Sequence, residues 1–141
     1  MTKQEQLHLA KDIAIMAHAG QIDRSGLPYI NHPKTVASLV KTDEEKTVAW
    51  LHDVVEDTNI TIEDLKAKGF SDEVIAGVEA MTHDSSIDYF DYVRNIKKNK
   101  LALAVKIADL THNMDISRIK NPTKLDYERL EKYKKAMDIL K

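Results

Sequence analysis

Apolar residues recur at three- and four-residue spacing along most of the chain, and strict alternation is scarce, so the pattern predicts helices rather than strands. Leu7, Ala10, Ile13, Ala14 and Ala17 form one stripe behind Thr2-x-x-Glu5, a capping-box sequence, and Gly20 is placed to end that helix in the left-handed conformation. Residues 21–32 carry Gly26 and Pro28 with no periodicity, which predicts a loop, and Pro33 suits the first turn of a second helix running to about Val40. Asp43 is the expected cap of a third helix through Val48, Leu51 and Val55. Thr61-x-x-Asp64 opens a fourth that Gly69 closes, and Ser71 starts a fifth ending near Thr82. A sixth lies between Ser86 and Lys98, and a seventh runs from Lys100 or Leu101 to about Arg118. Pro122 separates these from a last helix, Lys124 to Leu140, whose stripe of Leu130, Tyr133, Met137 and Leu140 suits a lid or buttress. The expected fold is all-α, about eight helices in one bundle, with residues 1–141 as a single domain.

Composition narrows the function. Of 141 residues, 43% are hydrophobic and 31% charged, the balance of a globular protein with a real core. The formal charge of -2 leaves no broad basic field for a nucleic-acid polymer, so an anionic ligand must be held locally. With no cysteine, thiolate metal sites, disulfides and cysteine nucleophiles are excluded, and metal ligands must be His and carboxylate. The polar start has no export-signal pattern, and the longest apolar runs, such as Ile13 to Ala17, are far short of a membrane span. A cytoplasmic protein with no membrane partner is expected, and a homo-oligomer is compatible with the chain.

Three places carry candidate chemistry. His52 and Asp53 are adjacent, and on a helix Glu56 and Asp57 lie one turn further on the same side, beside apolar Ala49, Trp50, Leu51, Val54 and Val55. Carboxylates against a core are costly unless a cation or donors compensate, and a divalent metal would remove the conflict. The bland alternative is a solvated helix end. Asp109 follows a nearly continuous apolar run from Leu101, with Asn113 four residues on; on its own it reads as a cap or a partner for a lysine before it reads as a metal ligand. His32, in Asn31-His32-Pro33, supplies an imidazole at a helix mouth. Trp50 reads as core, His18 and His112 as packing or supporting residues, His8 and His83 as surface, and Tyr29 as a residue pinning its loop, with stacking on a base as the alternative.

Together these form the order H…HD…D, which resembles the HD superfamily of metal-dependent phosphohydrolases. The segments Ala17-His18-Ala19-Gly20-Gln21, Gly26 through Pro33, Leu51 through Thr58, Lys106 through Asp109 and His112-Asn113-Met114 are similar to the hydrolase domain of RelA/SpoT proteins and the small alarmone hydrolases. The resemblance implies that His32, His52, Asp53 and Asp109 bind one metal, Mn²⁺ in the family, with Zn²⁺, Fe²⁺ or Co²⁺ compatible with the same donors. It implies Glu56 and Asp57 as the catalytic pair and Asn113 as a contact to the nucleotide sugar. Arg129 and Tyr133 match nucleotide contacts by spacing alone.

The synthetase and regulatory domains of the long enzymes have no room here, so the implied activity is hydrolytic only: release of the 3′-pyrophosphate from guanosine 3′,5′-bis(diphosphate), a small-molecule nucleotide. Arg24 is the first choice to hold phosphate, with Lys106 and Arg129 behind it; each reads alternatively as a solvated surface cation. The chain departs from the family pattern at Asp23, where a basic residue is usual, and at Leu110, Asp115 and Ile116. The departures at Asp23 and Ile116 favour, as the alternative, an HD phosphohydrolase for another nucleotide or nucleoside monophosphate; a non-catalytic nucleotide-binding module is a third reading, against which the complete H…HD…D set with Glu56 and Asp57 speaks.

Overall fold

In a computed structural model describing residues 1–141, the chain forms nine α-helices and one short 3₁₀ turn, with no strand beyond an isolated bridge between Ile22 and Pro28. The helices are α1 Lys3–Ala17, α2 Asn31–Ser38, α3 Asp43–Leu51, α4 Val54–Asp57 and α5 Ile62–Ala67, then α6 Asp72–Met81, α7 Tyr89–Ile96, α8 Lys100–Asn113 and α9 Lys124–Leu140. Four of them begin with the same device, a threonine hydroxyl accepting from the amide three residues on while the acid there reaches back: Thr2–Glu5, Thr42–Glu45, Thr61–Asp64 and Thr123–Asp126.

Three boundaries differ from the sequence pattern. Thr42 rather than Asp43 caps α3, because Glu45 can close the reciprocal bond, and Asp43 instead sits in the first turn facing the helix dipole. The expected third helix is broken into α3 and α4. His52 Nδ1 lies 2.5 Å from the Ala49 carbonyl, so the ring competes for an acceptor the helical ladder would use. The seventh expected helix stops at Asn113, since Asp115 takes the amide and hydroxyl of Ser117 and turns the chain into the 3₁₀ segment Ile116–Arg118. Pro33 stays inside the first turn of α2, where no helical N–H is needed.

The core is one cluster of 27 buried apolar residues, centred on α3, which packs against α1, α2, α6 and α8. Residues 47–51 of α3 are all buried, Trp50 included. The last helix lies on α7 and α8 through Ala136, Met137 and Leu140 and acts as a buttress. No helix is long and apolar enough to cross a membrane.

Candidate active site

The site forms where α2 begins, α3 breaks and α8 ends. His32, His52 and Asp109 are buried and bring one nitrogen or oxygen each within 4.8 Å of one another, an arrangement able to hold a metal ion. His32 Nε2 lies 2.8 Å from Asp109 Oδ1, and His52 Nε2 lies 3.5 Å from the same oxygen and 3.0 Å from Asp53 Oδ2. The 2.5 Å contact to the Ala49 carbonyl means that Nδ1 of His52 donates there, so in a neutral ring Nε2 is a bare lone pair. That nitrogen is buried, has no hydrogen-bond partner and faces two carboxylates. Only a cation or an added proton relieves this arrangement, and a divalent ion with His and carboxylate ligands fits it. Without a metal, burial opposes a charge on His52, yet Asp53 and Asp109 outweigh it and hold its pKa well above the ordinary value. Burial likewise opposes charge on Asp53, and His52 overrides it to bring the carboxyl to about 2.

Supporting contacts surround these groups. The ring of His112 stacks on His32 with Nδ1 atoms 2.8 Å apart, and burial, then Arg118, lower its pKa to about 4, which keeps it neutral. Asn113 Nδ2 donates to Asp109 Oδ1 at 3.1 Å. Lys106 is buried and places Nζ 3.0 Å from Asp109 Oδ2, which rules out the solvated surface role. Tyr29 does more than pin its loop: its hydroxyl donates to Asp53 Oδ2, and its ring lies between His18 and His32.

Glu56 and Asp57 sit on α4 close by. The Glu56 carboxylate accepts from the backbone N–H of His83, so His83 is half-buried beside the site, its ring stacked on Tyr92, and not on the surface. Burial raises the pKa of both acids, with Asp53 adding repulsion in each case. Gln21 Nε2 donates to the Asp57 carbonyl at 3.3 Å, which leaves Gln21 Oε1 to accept from His18 Nδ1 at 2.8 Å. His32, His52, Asp53, Asp109, Lys106 and Asn113 meet through these contacts, whereas Glu56, Asp57 and His52 are not among the residues that line the cavity beside them.

That cavity, of about 440 Å³, is lined by His32, Asp53 and Asp109 together with Arg24, Lys106, Asn113, Arg129 and Tyr133. Arg24 lines the cavity with part of its guanidinium already engaged. It forms a two-pronged pair with Asp126, at 3.1 and 2.7 Å, that ties the loop before α2 to the first turn of α9. Arg129 Nη1 is 3.7 Å from the same carboxylate. The Arg24 bonds, then the Thr123 amide, hold Asp126 at about 2 against an ordinary 3.8. A carboxyl lowered on folding stabilises the fold above its ordinary value and loses that contribution as pH falls through the folded value. The melting temperature is therefore expected to drop between pH of about 3.8 and about 2 more steeply in the native protein than in Asp126→Asn. Parallel melting profiles over that range would show that the pair contributes nothing.

No family model matches the chain. Against curated proteins, it is 40% identical over 112 residues to a probable guanosine-3′,5′-bis(diphosphate) 3′-pyrophosphohydrolase of Synechocystis, covering 69% of this chain and 15% of that one. It is 38% identical over 122 residues to the guanosine-3′,5′-bis(diphosphate) 3′-pyrophosphohydrolase of Haemophilus influenzae, covering 72% and 17%. A solved structure of a metazoan SpoT ortholog, described as hydrolysing ppGpp, superposes with a TM-score of 0.77 at 25% identity over 96% of this chain and 85% of that one. The chain belongs to the RelA/SpoT-type family. It spans about a sixth of the length of the curated relatives it matches.

Within this RelA/SpoT-type fold the departures acquire structural roles. Asp23 accepts from the amides of Ser25 and Leu27 and from the Ser25 hydroxyl, closing the loop, and lies 3.6 Å from Arg118. Leu110 is fully buried in the core, and Asp115 starts the 3₁₀ turn. Sequence reasoning missed Tyr29, the buried state of Lys106 and the Arg24–Asp126 pair, whose partners are 102 residues apart. For Tyr29 the signal was present in its place within the shared Pro28-Tyr29-Ile30-Asn31-His32 segment.

Proposed function

We propose that this chain is a metal-dependent nucleotide phosphohydrolase of the cytoplasm, with guanosine 3′,5′-bis(diphosphate) as substrate and its 3′-pyrophosphate as the group released. The observation that carries this reading is one cavity lined both by His32, Asp53 and Asp109 of the imidazole–carboxylate cluster and by the guanidinium groups of Arg24, Arg118 and Arg129. His32, His52, Asp53 and Asp109 would hold one divalent ion, Mn²⁺ by the family likeness, which when bound neutralises phosphate oxygens and acidifies a water. Lys106, Asn113 and Tyr29 fix the carboxylates of that set in place.

The attacking water adds to the phosphorus next to the ribose 3′-oxygen as the Glu56–Asp57 pair takes one of its protons; the bond to the 3′-oxygen breaks with its electron pair on that oxygen, and the proton is passed on to it, which leaves a free 3′-hydroxyl and pyrophosphate. Raised carboxyl pKa values suit that role, because an acid with a value nearer neutrality both takes and gives up a proton readily. Arg24, Arg129, Asn113 and Tyr133 line the space for the nucleotide.

A second reading, hydrolysis of a different nucleotide on the same scaffold, is favoured by one observation: Arg24 is tied to Asp126, and Asp23 closes its loop where the family has a base. A nucleotide panel assayed for pyrophosphate and phosphate release, with Mn²⁺ and with chelator, tests both. Metal-dependent pyrophosphate release from the guanosine bis(diphosphate) is expected. Turnover of another nucleotide alone would move the assignment to the second reading, and metal binding with no turnover on any would leave a binding module.

A further inference from the structure

Five cations line the cavity, and four of them have a carboxylate within 4 Å: Arg24 and Arg129 share Asp126, Arg118 meets Asp23, and Lys106 meets Asp109. Lys132 has none. Its ammonium instead sits 4.4 Å from the ring centre of Tyr89 and 5.7 Å from that of Tyr133, both of which line the same cavity. Arg129 is three residues earlier on α9, so the two cations share a face of the helix. At this corner Arg24, Arg129 and Lys132 stand against the single carboxylate of Asp126, which leaves an excess of positive charge turned into the cavity. Burial, followed by repulsion from Lys106 and Arg129, lowers the Lys132 pKa, as expected of an ammonium with cations and no anion around it. An aromatic face is a weak substitute for an anion, since a cation on a ring gains far less than one in a charged hydrogen bond.

We propose that Lys132 is an anion-binding residue of this cavity, seated on the ring of Tyr89 and positioned to take a phosphoryl group of the bound nucleotide. The inference rests on the phosphohydrolase reading for the identity of the nucleotide, but not for the binding of phosphate itself. Tyr89 is a positioning residue. Its ring is what Lys132 contacts, while its hydroxyl is buried without a hydrogen-bond partner.

The test is calorimetric titration of inorganic phosphate into the metal-loaded protein, which needs no turnover. Lys132→Gln is expected to weaken phosphate binding about tenfold, the loss of one charged hydrogen bond, and Lys132→Arg to retain most of the affinity. Tyr89→Phe, which keeps the ring, should bind phosphate as the native protein does, and Tyr89→Leu, which removes it, should weaken binding in the same direction as Lys132→Gln. Equal affinity in the native protein and Lys132→Gln, or no phosphate binding by the native protein, overturns the proposal. Phosphate binding that depends on Lys132, in a protein that turns over no nucleotide, would sustain this inference while refuting the phosphohydrolase reading.

Discussion

Replacing Glu56 or Asp57 by its amide is expected to lower kcat for nucleotide hydrolysis about 10²–10⁴-fold while the bound metal stays at the native stoichiometry. The two residues lie on α4, beyond the break at His52 and Asp53, and neither belongs to the His32–His52–Asp109 cluster. Their environments differ. Glu56 is held by the His83 amide and feels Lys106, whereas the Asp57 carboxylate feels His18, His52 and His32. An amide keeps the shape of either side chain but cannot take a proton, so the larger fall in kcat identifies the base. Full activity in both Glu56→Gln and Asp57→Asn would remove the pair from the chemistry. Loss of metal from either variant would instead make that residue part of the donor set.

A second large effect is expected in stability. Lys106→Met should cost the metal-free protein about 3–5 kcal/mol, because it strands the buried Asp109 without its cation. For a chain of this size that corresponds to a fall in Tm on the order of 10 °C by calorimetry. Burial alone would discharge Lys106, but Asp109, with Tyr92 and Tyr89, overrides it and keeps the ammonium charged; burial opposes the Asp109 charge too, and Lys106 with His32 and His52 holds its pKa well below the usual range. The double variant Lys106→Met/Asp109→Asn should recover much of the lost stability, since it removes the stranded charge. An unchanged Tm in Lys106→Met would mean that the histidines alone satisfy Asp109.

The features readable from the chain were those decided within a few residues. Thr2-x-x-Glu5 and Thr61-x-x-Asp64 announce their helices because cap and acid are three apart and satisfy each other. The same rule points to Thr42, and choosing Asp43 overlooked the reciprocal bond from Glu45. The break after Leu51 was hidden because apolar spacing continues through Val54 and Val55 across it; only the side-chain contact of His52 with Ala49 shows why the ladder stops. The metal-type cluster of His32, His52 and Asp109 could be anticipated because residue type, order and family likeness all pointed to these residues, along with Asp53, which lies against His52 just outside the triad. The states of Lys106 and Arg24 could not, since each depends on what the tertiary fold brings against it: burial beneath two tyrosines in one case, Asp126 in the other.

His32 and Asp109, whose side chains meet at 2.8 Å, are 77 residues apart, and His52 reaches them from a third segment. An unfolded chain therefore offers no preformed chelate, and no fragment lacking α2, α3 or α8 can assemble one. Chelation of an added divalent ion by this triad would then gauge how completely α2, α3 and α8 have come together.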